Sequence, residues 1–115
     1  MRTMIALSVS LMLSLVACGG GGGGGPEDTA ASLTAEGWEL FEQGKYAEAI
    51  EKFNDALALD DTYADAYNGL GWSNAKLDEL LDALTNFDLC IDNGMSDDPD
   101  PYAGKAVVYL SLIHI

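Results

Sequence analysis

The sequence predicts an all-α fold in which one helix-turn-helix unit recurs, and three observations carry that prediction. Gly37-Trp38 returns as Gly71-Trp72, Ala49 as Ala83 and Phe53 as Phe87, each pair 34 residues apart. Ala49, Ile50, Phe53, Ala56 and Leu57 fall on one stripe of a helix from about Tyr46 to Leu59, with Glu48, Glu51, Lys52 and Asp55 on the opposite, solvated face. Gly44 stands where a helix C-terminal cap is needed, and Thr62 with Asp65 three residues on reads as a variant capping box opening the next helix.

The chain opens with Met1, Arg2 and Thr3, a short positive start, followed by an apolar run from Met4 to Val16. That is the layout of a secretory leader, and it falls short of the roughly 20 apolar residues a membrane-spanning helix needs. The run closes on Leu15-Val16-Ala17-Cys18, which resembles the lipobox of bacterial lipoproteins. The resemblance implies cleavage before Cys18 and attachment of diacylglycerol to its thiol, so that residues 1–17 are a signal peptide and several acyl chains hold the mature protein to a membrane. An ordinary cleaved leader with an incidental cysteine is the alternative. Gly19 to Gly25 are seven consecutive glycines, followed by Pro26. Such a stretch favours no single backbone conformation, and from Cys18 to Asp28 it gives a tether with a root-mean-square reach of roughly 17 Å. Gly19 rather than Asp after the cysteine implies, by the sorting known in enteric bacteria, the outer membrane facing the periplasm.

Within the repeat, the first copy reads Leu33-x2-Glu36-Gly37-x2-Leu40, then Ala49-x3-Phe53-x2-Ala56. The second reads Tyr67-x2-Leu70-Gly71-x2-Asn74, then Ala83-x3-Phe87-x2-Cys90. Small residues at Gly37, Ala49, Ala56, Gly71, Ala83 and Cys90 leave room for two helices to approach closely. The period and these offsets resemble the tetratricopeptide repeat (TPR). The resemblance implies antiparallel helix-turn-helix units stacked as an α-solenoid, with repeats at about 30–63 and 64–97 and the first helix of a third at about 99–109. That helix is expected to open at Asp100-Pro101, with proline at its first position and Tyr102, Ala106 and Tyr109 in matching places. The chain departs from the family pattern at Asp61, where proline is common, at Glu36, where leucine is usual, and at Leu77-Asp78, a turn without glycine.

Leu110 to Ile115 read as the translation of a transposon-end adaptor used in sequencing libraries, which would make residues 110–115 foreign and the chain a fragment; a natural apolar helix end is the alternative. Two and a third units fall short of the three or more that a repeat array needs, so the last helix should expose an apolar side.

Acidic residues number 19 against 5 Lys plus Arg, for a formal charge of −14. This excludes nucleic acid as a partner and an electrostatic grip on anionic lipid, both of which need clustered cations. No catalytic constellation or cofactor motif emerges. The only histidine is His114, and Cys90 fills a slot that wants a small buried residue, far from Cys18 and with no partner thiol. Asp92, Asn93, Asp97, Asp98 and Asp100 could supply oxygens to a divalent cation, but without calcium-hand spacing.

In the family, the first helix of each repeat lines a concave groove that receives a peptide or helix. Carried onto this chain, that places Thr34, Trp38, Phe41 and Glu42 of one repeat, and Asp65, Asn68, Trp72, Ala75 and Lys76 of the next, in or near the groove, with Trp38 and Trp72 side by side. Both indoles could instead be packing, a choice that a double alanine variant separates through partner capture and helicity. Three functions follow: an envelope-anchored, non-enzymatic scaffold for a protein or peptide partner, an accessory module of a larger enzyme or transport-related protein, or the cation site.

Overall fold

The computed structural model describes residues 28–114, so the leader, Cys18 and the glycine tether lie outside the described residues. Five helices follow one another: α1 (Ala30–Glu42), α2 (Tyr46–Leu59), α3 (Ala64–Lys76), α4 (Leu80–Asp92) and α5 (Pro99–His114). α1 pairs with α2 and α3 with α4. The pairs stack through α2 against α3 and α1 against α3, and α5 lies on both α3 and α4. This is the all-α repeat architecture expected, two helix pairs and a fifth helix. Among the described residues no helix is long and apolar enough to cross a membrane.

Helix ends follow from local chemistry. Thr29 caps α1: its Oγ1 accepts from Ser32 N–H at 3.0 Å, and Thr29 N–H donates to Ser32 Oγ at 2.9 Å. Gly44, at φ +81°, turns the chain out of α1, with Gly44 N–H donating to Phe41 O and Lys45 N–H to Leu40 O, both at 2.9 Å. These are the two bonds of a Schellman motif. The same pair recurs after α3, where Asp78 occupies the left-handed position at φ +62° in place of glycine.

Thr62 does not cap α3. Its N–H and Oγ1 both donate to Asp60 Oδ1, at 3.0 and 2.7 Å, which closes a tight turn one residue before the helix and leaves Tyr63 as an N-cap without a side-chain bond. Asp60, bound this way, titrates below the ordinary carboxylate range. The opening of α5 also differs from expectation. Asp98 Oδ1 accepts from Asp100 N–H at 2.9 Å, so the helix begins at Pro99 and Pro101 sits, buried, in its first turn. Neither proline N is missed there, because first-turn donors have no partner within the helix.

The core is built around two phenylalanines. Phe53 is fully buried between Gly37 of its own repeat and Gly69 of the next, and Phe87 likewise between Gly71 and Gly104. At all four glycines a methyl group would collide with the ring, so the missing side chain is what lets the helices close on it. Ala49, Ala56 and Ala83 are fully buried around the rings, and Cys90 takes the same slot as Ala56. Glu36, at the position of a usual leucine, is half-exposed and pairs with Lys52 Nζ at 3.0 Å, whereas its counterpart Leu70 is buried. Tyr67 and Tyr102, one in each later repeat, both donate their hydroxyls to the carbonyl six residues earlier, on Asp61 and Ser96. α5 runs on through Leu110 to His114. Leu112 packs against the Ala83, Phe87 and Val108 cluster, while Tyr109, Leu110 and Ile113 are exposed.

Candidate protein-binding groove

The first helices of successive repeats, α1, α3 and α5, each contribute residues to one shared space. Between them lies an open cavity of ≈ 330 Å³ lined by Trp38 and Phe41 of α1, Trp72 and Lys76 of α3, and Asp100 of α5. Four residues expected in the groove are thus brought together, and the two indoles face the same space.

Each indole is partly core and partly groove. Trp38 is half-buried and meets Phe41 and Phe53 edge-on, with centroids 5.3 Å away in both cases. Trp72 meets Phe87 edge-on at 5.5 Å. Such contacts contribute roughly 0.5–1.5 kcal/mol beyond burial, so replacing both indoles by alanine would remove packing together with groove surface. The polar edge of each ring reaches into the next repeat: Trp38 Nε1–H donates to Asp65 Oδ2 at 3.0 Å, and Trp72 Nε1–H to Asp100 Oδ2 at 3.2 Å. One contact is therefore made twice, and it joins the groove floor to the stacking of the repeats.

Asn68, at 2% exposure, cannot offer a surface to a partner. It acts from beneath, its Nδ2–H donating to Asp100 Oδ2 at 2.6 Å and fixing the carboxylate that lines the cavity. Thr34 is also buried, with its Oγ1 lacking a hydrogen-bond partner, so it belongs to the core and not to the groove surface. Glu42 is exposed at the end of α1, beside the cavity residues but not among those lining it.

The groove residue missed from the sequence is Asp100, which was expected in a cation loop; Asp65 was placed near the groove and in a helix-start pattern, but not against Trp38, and both aspartates hold an indole. The available signal was an acidic residue 27 positions after Trp38 and 28 after Trp72. Among the described residues no three His, Cys, Asp or Glu side chains converge on a metal-sized site. Asp98 and Asp100 are engaged in the helix cap and the indole contact, which accounts for two of the five proposed ligands.

Cys90 is fully buried, 3.3 Å from Met95 Sδ. Burial first, and then the charges of Asp65, Asp98 and Asp100, push its thiol from the usual 9.0 up to about 12, so it stays protonated and unreactive near neutral pH.

With the paired helices, the glycine-seated phenylalanines and the repeated indole contact in place, a family comparison adds to the fold: residues 37–78, from the second half of α1 to the turn after α3, match the model for a TPR repeat. The match and the paired helices together make the fold all-α and TPR-like. No curated protein matches the chain. In TPR terms, the matched segment holds the second helix of one repeat and the first of the next, which is the unit that buries Phe53.

Proposed function

We propose that this chain is a lipid-anchored scaffold of the bacterial envelope that takes a protein or peptide partner into the groove between Trp38 and Trp72 and performs no chemistry of its own. TPR repeats generally mediate protein–protein interaction. The observation that carries the reading here is the cavity lined only by α1, α3 and α5, with two large aromatics held half in the core by Phe53 and Phe87. Anchors that are rigid before binding lose little entropy when a partner covers them.

Anchoring rests on Leu15-Val16-Ala17-Cys18 and on the glycine run behind it. Cys18 carries the lipid, Gly19 to Gly25 hold the repeats off the surface, and the outer membrane facing the periplasm is the location that Gly19 favours. Metabolic labelling with an alkyne fatty acid should mark the wild-type chain and not the Cys18→Ser variant; equal labelling of both removes the anchor.

The groove is tested by placing a benzophenone photo-crosslinker at Lys76, on the cavity, or at Asp55, on the exposed face of α2. Groove binding predicts a discrete adduct from position 76 and none from position 55. The reverse pattern places the partner on the second helices.

A further inference from the structure

The cavity has an electrostatic character as well as a shape. Trp38, Phe41 and Trp72 wall it, and a carboxylate sits at the N–H edge of each indole, Asp65 at 3.0 Å and Asp100 at 3.2 Å. Only one oxygen of each aspartate, Oδ2, takes part in these bonds, so Oδ1 of both is left out of the indole contacts. Asp100 is exposed and Asp65 half-exposed. A cation seated against the indoles would meet their negative π faces and the Asp100 carboxylate that lines the cavity, with Asp65 behind the N–H edge of Trp38. Around the cavity the chain as a whole carries −14, which draws in positive partners before contact. Lys76, the cation on the cavity wall, is exposed at the end of α3 on a long stem that can swing out to solvent, which leaves the Asp100 carboxylate to face an occupant.

We propose that the groove selects a protein segment bearing an arginine, whose guanidinium stacks on the cavity's indoles and ion-pairs with Asp100. Arginine fits better than lysine because its planar head both stacks on an aromatic face and forks onto a carboxylate, and it gives up hydration more readily than an ammonium. The same geometry disfavours an acidic segment, which would bring its charge against Asp100 in a chain of net charge −14. This inference rests on the groove reading above and adds to it the chemistry of the occupant.

The test uses the full chain immobilised through its glycine tether and a display library of random eight-residue peptides, followed by synthesis of the most enriched sequence. The expected result is enrichment of arginine beside apolar residues. Replacing that arginine by citrulline, which keeps the shape and removes the charge, should weaken binding about tenfold, as should Asp100→Asn in a variant of unchanged helicity. The citrulline peptide acts on the unaltered protein, so the test stands even if Asp100→Asn fails to fold. Peptides that crosslink to position 76 but show no arginine preference, or bind equally well with citrulline, overturn the charge assignment and leave the groove standing. Enriched peptides that crosslink elsewhere, or no enrichment at all, overturn both.

Discussion

Replacing Gly37 by alanine is the sharpest probe of how these repeats close, because two effects of opposite sign compete there. In a helix interior alanine is favoured over glycine by about 1 kcal/mol, so on propensity alone the change stabilises. Against this, a Cβ at Gly37 would lie 2.6 Å from Phe53 Cε1, roughly 1 Å inside the optimal carbon–carbon separation of about 3.5–4.0 Å. The ring cannot withdraw, since Phe53 is fully buried and the same end of it, Cε1 and Cζ, is pressed against Gly69 of the next repeat. Overpacking of this kind costs about 1–3 kcal/mol in general, and the close fit at both glycines places it toward the upper end. The net expectation is a loss of about 1–2 kcal/mol. For a domain of this size that lowers the melting temperature by about 4–8 °C per kcal/mol, read by circular dichroism at 222 nm. In a Phe53→Leu background the clash goes, so the same Gly37→Ala change should become neutral or stabilising. Gly44→Ala, which meets open space but sits at φ +81°, should cost about 1 kcal/mol in both backgrounds. A Gly37→Ala variant as stable as the parent, or more so, would mean that Phe53 is not wedged between helices.

Other outcomes follow from the same structure. Thr34→Val should raise stability by about 1 kcal/mol in urea denaturation, because it keeps the shape of a buried side chain and removes a hydroxyl without a partner. Asp78→Gly should stabilise by about 0.5 kcal/mol, left-handed strain relieved being partly offset by the greater freedom of glycine in the unfolded chain. Cys90, with a folded pKa raised to about 12, contributes stability that is complete below pH 9 and is lost as pH rises from there through 12. The Cys90→Ala variant should lack that alkaline loss, and the native thiol should resist a disulfide reagent at pH 8 while reacting freely in urea.

Much of the fold was legible because a repeat writes its constraints twice. Ala49, Phe53 and Ala56 recur as Ala83, Phe87 and Cys90, and all six are fully buried. Gly44 ends α1 by the geometry its type allows. Contacts between repeats were not legible in the same way. Thr62 and Asp65 matched a helix-start pattern, yet Asp60 took Thr62 and Trp38 took Asp65. Asp100 looked like one of a cluster of loop acids, and only the stacking of α5 on α3 turns it toward Trp72 and Asn68. Period and propensity describe one repeat at a time. The cavity belongs to three helices, so its lining could be named in part, through Trp38, Phe41, Trp72 and Lys76, but not completed.

Binding in the groove is tested most directly by ¹⁵N spectra of the labelled chain, titrated with the partner segment recovered by crosslinking from position 76. The two indole Nε1–H signals report on the groove floor, each from a proton bonded to a carboxylate of the next repeat. Groove binding predicts that both indole signals shift together with the amides around Lys76, while the amides of Glu51, Asp55 and Asp88 on the second helices stay in place. Shifts confined to those second-helix amides, with both indoles unmoved, would contradict it.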